Sequence, residues 1–124
     1  MTEELLERCR LENGLELFLY DASRRVAGDR WQVVLIVRAE VPVVASLLAL
    51  PDGKSGDDIR SVLGDSLVWE QRRERNFIDE KEKKAVFEAM VRRFNGNTRG
   101  YLAHPDFAAK FIARRYDDLA KKRR

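Results

Sequence analysis

At 124 residues, with 44% hydrophobic and 36% charged side chains, the chain is long enough to bury a core without disulfides or metal and too apolar to stay disordered. Its formal net charge of +3 rests on its last four residues, Lys121, Lys122, Arg123 and Arg124, without which 20 basic residues face 21 acidic ones. A folded body that grips nucleic acid through one basic face is therefore not indicated.

Cys9 is the single cysteine, which excludes an intramolecular disulfide and suits a reducing, cytoplasmic setting. The acidic start, Met1-Thr2-Glu3-Glu4, lacks the basic and apolar character of a secretory leader. The longest apolar stretch, 41–50, is about half of the roughly twenty residues that a membrane span requires. One domain over 1–124 is expected, with 121–124 as a disordered basic tail.

Residues 2–11 read as a short helix. Leu5, Leu6 and Cys9 share a face, Thr2 stands at the cap, Glu3 and Glu4 suit the first turn, and Asn13-Gly14 stops the helix. In 15–20, Leu15, Leu17 and Leu19 alternate with Glu16, Phe18 and Tyr20, which predicts a strand. A second strand, 31–41, sets Trp31, Val33, Leu35, Val37, Ala39 and Val41 on one face. Val34 and Ile36 add apolar character to its other face, as in a central strand. Between the two strands, 21–30 reads as a polar, glycine-containing hairpin loop. Pro42 ends regular pairing. Residues 43–50 fit strand or helix, 51–56 form the strongest turn cluster, and 57–63 fit one or two helical turns.

The segment 67–78 has Glu70-Gln71-Arg72-Arg73-Glu74-Arg75 at its centre. A helix there would have no apolar stripe to hold it to a core, so an exposed edge strand guarded by charge is predicted. Residues 79–95 form the clearest helix, striped by Ala85, Val86, Ala89, Met90 and Phe94, with Asp79 and Glu82 placed for a capping-box-like start. His104-Pro105 opens the last helix, whose face carries Phe107, Ala108, Phe111, Ile112 and Tyr116.

These elements predict an α+β fold: a three-stranded antiparallel sheet (15–20, 31–41 and 67–78) covered on one face by helices 79–95 and 105–120. Phe18, Tyr20, Val34 and Ile36 on the other face need a cover. Two candidates stand: the 2–11 helix, or a second copy of the chain in a homodimer.

Two groups of residues invite a binding reading. Asp21, Ser23, Arg24, Arg25, Asp29 and Arg30 in the hairpin loop would suit a phosphate or carboxylate; a self-capped, solvated loop is the favoured reading, since connecting loops are polar by default. Arg72, Arg73 and Arg75, near Trp69 and Phe77 and joined by the tail Lys121, Lys122, Arg123 and Arg124, would suit nucleic acid; Glu70 and Glu74 interrupt that field. His104, the only histidine, reads as a helix cap. No catalytic residue, metal site or cofactor is assigned. One His and one Cys make no zinc spacing, Asp52, Asp57 and Asp58 lack the order of a calcium loop, and Gly53-Lys54-Ser55 has Leu48 where a Walker glycine belongs.

The segments Tyr20-Asp21-x-Ser23, Ala27-Gly28-Asp29-Arg30-Trp31 and Glu74-Arg75-Asn76-Phe77-Ile78 resemble a small set of bacterial hypothetical proteins over most of the chain. That set carries no assigned activity, so the resemblance implies a complete small protein and no site. The expected function is a non-enzymatic binding or regulatory module acting through contacts with an unknown protein partner. A nucleic-acid-associated protein and an anion-binding protein or small enzyme are the alternatives, and no membrane contact is expected.

Overall fold

The computed structural model describes residues 3–43 and 63–122. Five strands, β1 (Glu4–Arg10), β2 (Glu16–Asp21), β3 (Arg24–Ala27), β4 (Arg30–Pro42) and β5 (Ser66–Asp79), form one antiparallel sheet. Three helices follow among the described residues: α1 (Lys83–Asn97), α2 (Arg99–Ala103) and α3 (Phe107–Lys122).

The sheet is organised by β4. β5 runs along one edge of it from Arg30↔Asp79 to Pro42↔Ser66. Along the other edge β2 and β3 lie end to end, β2 from Glu16↔Glu40 to Asp21↔Leu35 and β3 from Arg24↔Gln32 to Ala27↔Arg30. β1 pairs with the outer edge of β2. The expected α+β class and the strands at 15–20, 31–41 and 67–78 are present, but the described residues form a sheet of five strands where three were expected. The additional two lie in segments read as helix and loop.

The first correction concerns 2–11, which is strand β1 and not a helix. Asn13-Gly14 turns a hairpin there: the Leu11 N–H donates to the Leu15 carbonyl at 2.8 Å, the Gly14 N–H donates to the Leu11 carbonyl at 2.9 Å, and Gly14 takes a φ of 89°. Leu5 and Leu6 remain exposed while Cys9 packs against the main core, so the three residues that favoured a helix do not act as one buried face. The unsatisfied main chain of β2 outweighs a modest helix propensity.

The second correction concerns 21–30, most of which is strand. The main chain breaks only at Ala22-Ser23. There the Ala22 N–H donates to the Val34 carbonyl at 3.1 Å, and the Val34 N–H donates to Ser23 Oγ at 3.0 Å. The hydroxyl replaces a main-chain acceptor, so β2 can give way to β3 without an orphaned amide. The loop itself is two residues, Gly28-Asp29, with Gly28 at φ 54°, as a type II′ hairpin turn demands at its first position.

The helix expected at 79–95 starts later, at Lys83. Asp79 still belongs to β5 and accepts the Lys81 N–H at 2.9 Å, while Glu82 occupies the N-cap without a side-chain bond. At the other expected helix start, His104 Nδ1 accepts the Asp106 N–H at 3.1 Å, the capping role foreseen for it. α3 continues to Lys122, so two residues of the expected disordered tail are helical in backbone. Arg123 and Arg124 lie outside the described residues, as do the expectations for 44–62.

One face of the sheet holds the main core. Leu17, Leu19, Val33, Leu35, Val37, Ala39 and Val41 pack against Met90, Phe94, Leu102, Phe107 and Ile112. Trp69 of β5 meets Phe107 edge-on at 6.5 Å, and Phe107 stacks on Phe111 at 5.7 Å. The β1–β2 turn is fastened to this layer by Asn13, whose Nδ2 donates to the carbonyls of Leu102 at 2.7 Å and His104 at 3.1 Å. The Leu102 carbonyl lies in the last turn of α2, past the last intrahelical donor, so the amide caps it, while the His104 carbonyl also accepts the Phe107 N–H at 3.1 Å.

On the opposite face Ala22, Val34 and Ile36 are buried with Tyr20 against them. The Arg8 guanidinium lies over Phe18 at 5.6 Å and that of Arg38 over Tyr20 at 4.9 Å. The four apolar residues expected to await a cover are thus largely enclosed within the chain. The 2–11 helix assigned as one of their covers does not exist.

Candidate functional site

The hairpin residues do not converge. Ser23 Oγ is used by the Val34 N–H, and Asp21 Oδ1 by the Ser23 N–H at 2.9 Å. Arg24 Nε donates to Gln32 Oε1 at 2.9 Å, Arg25 reaches Glu80 at 3.4 Å, and Arg30 pairs with Asp79 at 3.1 Å. Asp29 gives its carbonyl to the Glu80 N–H at 2.8 Å, which ties the hairpin turn to the β5–α1 turn. Each group meets a local partner, so the residues brace the end of the sheet rather than form one anion cradle.

The arginine run is divided by the pleat. Arg73 and Arg75 stand opposite Leu35 and Val33, on the helix-covered face, while Arg72 stands opposite Ile36 on the other. Arg73 donates to Thr98 Oγ1 at 2.8 Å and lies over the Phe94 ring at 5.9 Å; Arg72 pairs with Glu74. Trp69 is committed to Phe107. Three arginines within four positions therefore make no single basic strip with aromatic platforms. Of the tail, Lys121 and Lys122 end α3.

What the sheet does gather at its hairpin end is a pair of bulges flanking the start of β4. Between Arg25↔Trp31 and Ala27↔Arg30 the register of β3 slips and leaves Val26 as the extra residue. Between Trp31↔Ile78 and Val33↔Arg75 the register of β5 slips, so that Asn76 and Phe77 stand against Gln32 alone. Gln32 Nε2 donates to Asn76 Oδ1 at 3.1 Å and to Glu74 Oε2 at 3.0 Å, holding the bulge in place. A bulge re-aims side chains and raises local twist.

Phe77 is the outcome of that slip. Its φ is 54°, the sole positive value at a non-glycine residue among the described ones, and its side chain is 74% exposed. A left-handed backbone is unfavourable for a residue with a Cβ, by about 1–2 kcal/mol, and an aromatic ring in water forgoes burial. Val26 is 41% exposed on the other flank, and Val68, near the far end of β5, is 50% exposed.

Trp31 forms the base of the site. Lys83 Nζ sits 3.7 Å from the Trp31 ring centroid and the Arg25 guanidinium 5.7 Å from it, while the indole Nε1 is buried without an acceptor. Asp79 is held below the ordinary carboxylate range, first by the Lys81 N–H and then by Arg30. It therefore remains an anion in the β5–α1 turn. Among the described residues β5 pairs with β4 alone, so its outer edge offers main-chain donors and acceptors beside the exposed ring.

The chain matches no family model, no curated protein and no solved structure. Its site is thus defined by geometry. Among the described residues no helix is long and apolar enough to cross a membrane. Sequence reasoning placed Phe77 at the end of the 67–78 strand and noted it as an aromatic beside the arginine run, but found neither the bulge nor its left-handed backbone. The available signal was Asn76 preceding it, since Asn is a residue common at bulges and turns.

Proposed function

We propose that the protein is a non-enzymatic interaction module that docks a partner protein along the outer edge of β5, with Phe77 as the anchor. The exposed, left-handed Phe77 carries this proposal. Burying an aromatic ring of this kind contributes on the order of 2 kcal/mol, and buried aromatic anchors dominate interface energetics. Strand addition to a free edge supplies main-chain hydrogen bonds, while flanking side chains set the register. Here those are Arg72 and Glu74, between the apolar positions Val68 and Phe77. The arginine run lends the nucleic-acid reading less support, because Arg72 faces away from Arg73 and Arg75 and both Arg72 and Arg73 hold local partners.

The test is chemical cross-linking in native lysate with mass-spectrometric identification, using the wild-type chain, Phe77→Ser and Leu6→Ser. Leu6 is exposed on β1, at the opposite edge of the sheet. The expected result is a cross-linked partner lost with Phe77→Ser and kept with Leu6→Ser. Equal capture by all three proteins rejects the anchor. Sedimentation of the same proteins identifies the case in which the partner is a second copy, as a mass that rises with concentration unless Phe77 is replaced.

A further inference from the structure

A second site lies away from the β5 edge, where the β1–β2 turn meets α2. A cleft of about 480 Å³ opens there between Arg10, Leu11 and Glu12 on one side and Asn95, Arg99, Ala103, His104 and Pro105 on the other. That volume lies in the range of small-molecule sites, roughly 300–1,000 Å³.

Its cations are under-used. Arg99 is half-buried, and its contacts are long and to neutral acceptors: Nη1 to Asn95 Oδ1 at 3.4 Å and Nη2 to Cys9 Sγ at 3.5 Å. No carboxylate of the described residues is within ion-pair distance of it. A guanidinium carries five N–H donors, and a half-buried one without a counter-charge is unfavourable. Among the described residues the nearest carboxylate to Arg10 is that of Glu16, at 3.8 Å, and Arg8 already holds Glu16 at 2.7 Å.

His104 contributes through its tautomer. Its Nδ1 accepts the Asp106 N–H, so the proton of the neutral ring is assigned to Nε2, which is left as a donor. Glu12 opposes the two guanidinium charges with one carboxylate, leaving a net positive lining. Leu11, Ala103 and Pro105 supply apolar wall.

We propose that this cleft binds a small phosphate monoester. The phosphoryl oxygens are taken by the Arg99 and Arg10 guanidinia with His104 at the rim, and the organic part lies on Leu11, Ala103 and Pro105. A tetrahedral dianion offers three terminal oxygens to three donor groups, and planar guanidinium forks match them in pairs. A carboxylate offers two oxygens and half the charge.

Thermal-shift and NMR titrations at matched ionic strength test this, with inorganic phosphate, glycerol phosphate, acetate and chloride as probes. Glycerol phosphate is expected to bind more tightly than inorganic phosphate, and acetate and chloride to give no saturable response. Arg99→Gln is expected to weaken phosphate binding about tenfold or more, the scale of a lost charge-assisted hydrogen bond. Arg10→Gln, at an exposed position, weakens it as well and carries the test if Arg99→Gln does not fold. Arg25→Gln, in β3, leaves it unchanged. Full response retained by both cleft variants, an equal response to chloride, or no response to either phosphate overturns the proposal. Equal affinity for the two phosphates overturns the monoester and leaves free phosphate as the ligand.

Discussion

Phe77 sets a residue's backbone preference against its surface. The left-handed conformation disfavours any side chain with a Cβ by about 1–2 kcal/mol, and glycine escapes that cost. The exposed ring packs little, so its removal sacrifices little burial. Phe77→Gly is therefore expected to leave stability unchanged or raise it by up to about 1 kcal/mol, after allowance for the freer unfolded chain. Urea denaturation measures this, and a loss above about 2 kcal/mol would show that the ring is packed. The same variant is expected to lose partner capture, so stability and binding move apart. In the sequence, Phe77-Ile78 reads as an ordinary apolar strand flank. The slip that turns Phe77 outward depends on Gln32 gripping Asn76, two side chains 44 positions apart, and a one-residue slip reverses the face of each later side chain.

At the scale of elements, alternation carried most of the information. β2, β4 and β5 were recognisable because Leu15, Leu17 and Leu19, the two-sided run at Val33–Val37 and the charged centre of 67–78 each favour one kind of strand. β1 was not, because Leu5, Leu6 and Cys9 fit a helix face and an edge strand with little burial shows no alternation. α2 escaped notice for a different reason: five residues containing Gly100 leave no periodic trace. The cleft was equally hidden, since Arg10 and Arg99 come together only when the hairpin turn docks. β4 is where expectation and structure agree most closely. Leu35 is fully buried and its strand is paired on both edges. Leu35→Ala is expected to cost on the order of 2–5 kcal/mol, and amide exchange is expected to be slowest at residues 33–37. A cost below about 1 kcal/mol would mean that the core lies elsewhere.

Across the whole molecule, the polar face of the sheet is held by Arg38. Its Nη1 and Nη2 meet Glu3 at 2.6 and 3.0 Å, and its Nε meets Glu70 Oε1 at 2.6 Å. One guanidinium on β4 thus joins Glu70 of β5 to the residue that precedes β1. The hydrogen bond from Arg38 holds Glu3 below its ordinary value of 4.5, and Asp79 lies below 3.8 for the reasons given above. Each carboxylate binds its proton less readily folded than unfolded. Their stabilising contribution is therefore present above those ordinary values and lost as pH falls through the lower folded ones. Because both groups are solvent-exposed, the contribution is modest. Glu3→Gln is expected to lower stability slightly at neutral pH and, by the same small amount, to flatten its decline on acidification below about pH 4.5. Urea midpoints across that interval report it, and an unaltered slope would show that Glu3 does not carry the linkage.

The amide of Asn13 gives the molecule an order of assembly. Its two acceptors are 89 and 91 positions further along the chain. During synthesis, the β1–β2 hairpin emerges long before the carbonyls of Leu102 and His104 exist for it to hold. Until they leave the ribosome, Asn13 Oδ1 can accept the Leu15 N–H within the hairpin, but its Nδ2 has only water to bond. The contact that shuts the molecule is therefore among the last that can form, and the cleft beside it comes into being only at that moment.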